Sequence, residues 1–184
     1  MPSVIINWET PNVISSVYPN STYVYDLTAN GFTTKHTASG GAGYARIIMF
    51  NDSDFVPTGY TLKKVKITAT FNGSDNKGGC RIYNPTESID YDYLKIFDVS
   101  TMQRTETYEA LADDLIVGDG QHGVGIGYYL NSFSTYYCYF SGVQFELIYE
   151  ADATKLFSGE TPVTSAYLGN TKLTGIYLGD TKLL

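Results

Sequence analysis

LKKVKITATF, residues 62–71, decides the fold class. On an extended chain Val65, Ile67, Ala69 and Phe71 fall on one side, and Lys64, Lys66, Thr68 and Thr70 on the other. An apolar–polar alternation of period two marks a strand with one face on a core and one in water. VQFELIYE, residues 143–150, repeats the pattern: Val143, Phe145, Leu147 and Tyr149 alternate with Gln144, Glu146, Ile148 and Glu150, Ile148 being the apolar exception. STYYCYF, residues 134–140, is aromatic-rich and precedes it; Ser141-Gly142 between the two marks a bulge or a turn.

Weaker strand patterns lie at residues 4–8, 22–26, 46–50, 80–83, 93–99 and 123–130, and NGSDNKGG at 72–79 reads as a loop. One segment, YEALADDLI at 108–116, reads as a short helix. The 184 residues are 43% hydrophobic, enough for one core and a small appendage. The 17 Tyr, 9 Phe and 18 Gly suit half-buried sheets joined by tight turns. The expectation is all-β: a β-sandwich, most simply jelly-roll-like, over residues 1–150.

The formal charge is −7, and Lys63, Lys64 and Lys66 form the one basic cluster, which argues against nucleic-acid binding. No stretch approaches the roughly 18 consecutive apolar residues of a membrane-spanning helix. MPSVIINWETPNVISS at the N-terminus has no charged leader followed by an apolar run, so it does not read as a signal peptide. The chain is expected to be made in a cytoplasm, with Cys80 and Cys138 reduced and serving as packing residues.

After residue 150 the composition shifts. Residues 151–165, ADATKLFSGETPVTS, read as a linker or extended arm, and residues 166–184 hold a tandem repeat. AYLGNTKL (166–173) recurs as IYLGDTKL (176–183) at a spacing of ten residues, with an echo of Thr-Lys-Leu at 154–156. Gly169-Asn170 and Gly179-Asp180 are two-residue hairpin turns by type, glycine supplying the positive φ of the first position. Their flanks are too short for free-standing hairpins, so each unit must dock on a neighbour, on the main domain or on another chain.

This tail resembles the tandem YLGxTKL-like repeats that end many tail, baseplate and other virion proteins of bacteriophages. The resemblance covers the last thirty residues or so and implies a structural virion component, assembled in the host cytoplasm: a fibre, a baseplate or tail part, or a capsid decoration. It implies other virion proteins as partners and a homo-oligomer, a trimer by analogy with fibre-like components. The assembly surface would be Tyr167, Leu168, Gly169 and Leu173 in one unit, and Tyr177, Leu178, Gly179 and Leu183 in the next.

No residue constellation points to catalysis or to a cofactor. Gly118-Asp119-Gly120-Gln121-His122-Gly123 fits G-x-G-x-x-G, but strand rather than helix follows it, so a pyrophosphate would meet no helix N-terminus. His36 and His122 lack partners at metal-ligand spacing and read as surface residues. Asp52-Ser53-Asp54, Asp90-Tyr91-Asp92 and Asp113-Asp114 read as solvated loops, with a structural calcium as the runner-up. The alternative to a virion scaffold is a carbohydrate-binding or receptor-binding, lectin-like module meeting a host-surface glycan. Its candidate ligand-facing aromatics are Trp8, Tyr128, Tyr129, Tyr136 and Tyr137, with half of each tyrosine pair expected in the core because adjacent strand residues point opposite ways.

Overall fold

A computed structural model describes residues 1–17, 24–28, 30–36, 41–86, 93–130 and 135–152, and six two-residue strands beyond them. In chain order the strands are β1 (Ser3–Ile6), β2 (Ile14–Val17), β3 (Val24–Tyr25), β4 (Phe32–His36) and β5 (Gly41–Asn51). After a one-turn helix, α1 (Asp52–Phe55), come β6 (Tyr60–Gly73), β7 (Gly79–Tyr83), β8 (Tyr93–Asp98) and β9 (Arg104–Leu111). A 3-10 turn (Ala112–Leu115) leads into β10 (Ile116–Gly118), β11 (Gln121–Leu130) and β12 (Tyr136–Ala151).

These strands build two antiparallel sheets packed as a jelly-roll-like β-sandwich. The first runs β3-β4-β12-β6-β9, with β1 pairing on β12. The second runs β2-β5-β11-β7-β8, with β10 pairing on β11. The alternation in residues 62–71 is realised: Val65, Ile67, Ala69 and Phe71 are fully buried. They meet Ile48, Phe50, Ile82 and Ile126 of the second sheet in one core. On the opposite face of β6, Thr68 pairs with Thr107 at 3.2 Å and Thr70 with Thr105 at 2.8 Å, a solvated ladder.

Two expectations are corrected, the helix at 108–116 and the arm at 151–165, and one alternative is decided. The helix at 108–116 is absent: β9 carries the chain to Leu111, with Ala110 buried against Val65 and Glu109 outward beside Lys64. Thr105, Thr107 and Glu109 continue a period-two pattern upstream, and pairing with β6 overrides the helix propensity of the Ala-Leu-Ala run. At Ser141-Gly142 the bulge, of the two alternatives, is the one formed: residues on either side make one strand, β12, whose register against β6 slips between Phe140 and Gly142, with Ser141 the extra residue. The arm at 151–165 contains a hairpin, Phe157–Ser158 (β13) with Thr161–Pro162 (β14).

That hairpin extends the repeat. Tyr167–Leu168 (β15) pairs with Thr171–Lys172 (β16), and Tyr177–Leu178 (β17) with Thr181–Lys182 (β18). The strand pairs β13–β14, β15–β16 and β17–β18 thus recur at a ten-residue period, with two residues of sequence between the members of each pair. Gly169, Leu173, Gly179 and Leu183, expected in the assembly surface, lie outside the described residues.

Candidate functional site

The outer face of the second sheet is shaped by glycine. Along β11, Val124, Ile126 and Tyr128 enter the core, while Gly123, Gly125 and Gly127 alternate outward. A lane without side chains lets neighbouring rings lie at backbone level. Tyr83 of β7 lies over Gly125 so closely that a Cβ there would stand 2.2 Å from Tyr83 Cζ. Beside it Arg81, 6% exposed, is held between two tyrosines. Its guanidinium carbon is 3.5 Å from the ring centroid of Tyr129 and 4.2 Å from that of Tyr93. A desolvated cation over an aromatic face contributes about 2 kcal/mol, so this stack fixes the Tyr93 ring, which remains 39% exposed.

Tyr93 also lines an open cleft of about 500 Å³, with Asn84, Thr86, Asp113, Asp114 and Ile116 on its other walls. The 3-10 turn supplies the carboxylates: Ala112 and Leu115 are buried, which turns Asp113 and Asp114 outward. Asn84 clamps the wall. Its Nδ2 donates to the backbone oxygens of Asp114 (3.1 Å) and Ile116 (2.9 Å). Its Oδ1 accepts from the Thr86 amide (3.0 Å) and the Thr86 hydroxyl (2.9 Å). Asn84 is thereby saturated and builds the cleft instead of serving it. What the cleft offers a ligand is a ring, two carboxylates that accept hydrogen bonds, and small apolar surfaces from Leu94 and Ile116.

On the far side of the 3-10 turn, His122 Nδ1 lies 2.7 Å from Asp52 Oδ1, and the imidazole stacks on Phe50 at 6.0 Å. His122 is 7% exposed, so the expectation of a surface histidine is corrected. The cause is register: β11 sets His122 opposite Phe50, and Asp52 follows at the start of α1, seventy residues away in sequence. The glycine-rich run at 118–123 is the β10–β11 hairpin, with Gly120 at φ 63°. Asp52 and Asp54 stand in α1, while Asp90-Tyr91-Asp92 and the side chain of His36 lie outside the described residues. Among the described residues no group of three or more His, Cys, Asp and Glu side chains converges to hold a metal ion.

Two of the sequence-derived ligand aromatics are corrected outright. Trp8 is 3% exposed: Arg46 covers its face at 4.4 Å, and Phe145 and Phe32 meet it edge-on at 5.0 and 6.0 Å. Tyr128 is 0% exposed and donates its hydroxyl to the Lys77 carbonyl at 2.9 Å. Tyr129 is half-buried under Arg81. Tyr136 is half-buried and accepts a 2.8 Å hydrogen bond from Lys77. Tyr137 stacks on Tyr139 at 6.2 Å on the other sheet, with Lys35 over its ring. The structure therefore does not gather these residues into one site, and it adds Tyr93, Arg81, Asp113 and Asp114, which alternation alone does not single out. Cys80 and Cys138 are free and buried. Burial pushes both thiols above the usual thiol range, and each is raised a little further by a neighbouring ionisable group, Glu106 for Cys80 and Cys80 for Cys138.

No protein-family model and no curated protein sequence matches the chain. Solved structures do resemble it in fold. The family 29 carbohydrate-binding module CBM29_1 from Piromyces equi is 11% identical, with 79% of this chain and 89% of that one covered at a TM-score of 0.47. The xylan-binding module CBM15 is 14% identical, with 79% and 97% covered at 0.47. The enzymatically active domain of tailspike protein 4 of bacteriophage CBA120 is 11% identical; 79% of this chain matches 19% of that one at 0.34.

Proposed function

We propose that this chain is a non-catalytic glycan-binding module whose ligand sits in the cleft beside Tyr93. One observation carries the reading: an exposed tyrosine, immobilised by the Arg81–Tyr129 stack, forms a wall of a cleft that also presents two outward carboxylates. A sugar ring has an apolar C–H face and a rim of hydroxyls. The first suits an aromatic face and the second suits carboxylate acceptors. The volume lies within the roughly 300–1,000 Å³ of small-ligand sites. The test is titration calorimetry of the full chain and of Tyr93→Ala with neutral oligosaccharides. The reading expects binding by the first and at least a tenfold loss in the second, with a cooperative melt retained at a somewhat lower midpoint because Arg81 loses one ring; equal affinities would remove it.

A second reading accompanies the first. The three hairpins at a ten-residue period support a tail that attaches the sandwich to a larger assembly, the phage particle implied by the YLGxTKL resemblance. The two are compatible, a glycan-binding domain carried by an attachment tail. Gel filtration of the full chain beside one ending at Asp152 tests it: tail-dependent self-association supports attachment through copies of this chain, and identical monomers count against it.

A further inference from the structure

We infer that the site takes an internal stretch of an uncharged oligosaccharide across several subsites, not a terminal sugar; this rests on the glycan-binding reading. The observation is that Asp113 is a wall common to three clefts. The Tyr93 cleft shares Asp113 and Ile116 with a second, of about 290 Å³, that continues past Gly118 and Asp119 to His122 and Asp52. A third, of about 330 Å³, shares Asp113 with the second, and Thr61 and Leu62 as well, and reaches Lys64 and Glu150. The cause is the path of the chain: the 3-10 turn leaves β9 in the first sheet and enters β10 in the second, so its outward residues stand over the open side of the sandwich. The three clefts adjoin at Asp113, and each is open to solvent.

A blind pocket admits one residue of a chain at its terminus. Clefts strung along a shared wall, open to solvent and spanning both sheets, admit a chain passing through. The side chains along this path fit hydroxyls in sequence. Tyr93 offers a ring at one end; Asp113 and Asp114 accept in the middle; Asp119 and Asp52, the latter held by His122, accept beyond. Five carboxylates, Asp52, Asp113, Asp114, Asp119 and Glu150, outnumber Lys63 and Lys64 along these clefts in a protein of charge −7 and disfavour an acidic glycan, so the ligand is uncharged.

The experiment is calorimetry of the full chain against gluco-, xylo-, manno- and galacto-oligosaccharides of one to six units. Two variants go alongside it: Asp113→Asn, at the shared wall, and Asp119→Ala, on the exposed β10–β11 hairpin. The expected result is affinity rising at least tenfold from the disaccharide to the tetra- or pentasaccharide. Asp113→Asn should weaken every length, and Asp119→Ala should remove only the gain beyond the disaccharide. Affinity already complete at the mono- or disaccharide, with Asp119→Ala indistinguishable from the parent, overturns the extended site while leaving glycan binding intact. Absence of binding by every oligosaccharide overturns the glycan reading and this inference with it.

Discussion

The Arg81 guanidinium lies 3.5 Å from the centre of the Tyr129 ring, the closest cation–aromatic approach among the described residues. Arg81 is buried on a sheet face where most side chains would be wet, and its opposite side supports Tyr93 at 4.2 Å. Order at the cleft mouth thus begins two strands away, on β11.

Tyr129→Ala is therefore expected to weaken ligand binding without touching the ligand. Losing one face of the stack costs about 1–2 kcal/mol, read as a lower thermal midpoint, and loosens the Tyr93 ring. Tyr129→Phe, which keeps the face, should restore both stability and affinity. If Tyr129→Ala binds as well as the parent, the stack does not position Tyr93.

Charge selection follows from Asp113 and Asp114. A neutral oligosaccharide and its uronic- or sialic-acid counterpart of equal length should differ at least tenfold in favour of the neutral one at low salt. The gap should narrow as salt screens the carboxylates. Asp114→Asn should narrow it too. Tighter binding of the acidic form would assign the ligand contacts to Lys63 and Lys64 of the third cleft instead.

The thiols of Cys80 and Cys138 lie in the core, and burial raises both. In the native protein they should resist thiol reagents for hours and titrate at once in denaturant. The linkage has a definite sign: an unfolded thiol ionises at about 8.5, whereas the folded one stays protonated. Stability is thus fully present below that pH and falls as pH rises above it. Stability flat from pH 7 to 10 would contradict the burial, and a native Cys80–Cys138 bridge by mass spectrometry would contradict the reduced state.

The tail separates from the sandwich in its requirements. Burying one leucine is worth about 1.5–3 kcal/mol, too little for a two-residue hairpin to hold itself against its ordering entropy. Gly169→Val with Gly179→Val puts β-branched residues where a two-residue turn favours positive φ. The double variant should keep a cooperative β-type melt and lose self-association. A full chain that is monomeric with or without these changes would count against an assembly role.

The strands around residues 62–71 and 143–150 are legible because each faces water on one side, so polarity reports geometry directly. β9 is not, because its helix-like Ala-Leu-Ala run ends in a 3-10 turn whose Asp113 and Asp114 look like any solvated pair. The split of the tyrosine pair also follows from alternation: Tyr128 is buried and Tyr129 faces outward. What alternation omits is who sits opposite. Arg81 meets Tyr129 through the β7–β11 pairing, and His122 meets Asp52 through β11 and β5, contacts between residues 48 and 70 positions apart. The third hairpin escapes notice because Phe-Ser and Thr-Pro replace Tyr-Leu and Thr-Lys, leaving Gly159 and Thr161 as the shared residues.

The most direct test of the central claim is a two-dimensional amide NMR titration of the full chain with a neutral oligosaccharide that binds it. Shift changes should cluster at Asn84, Thr86, Tyr93 and Leu94 and along residues 113–116, and weaken toward the Thr68–Thr107 face of the first sheet. Changes centred on that face, on Tyr137 and Tyr139, or on the C-terminal hairpins would place the ligand elsewhere and contradict the account.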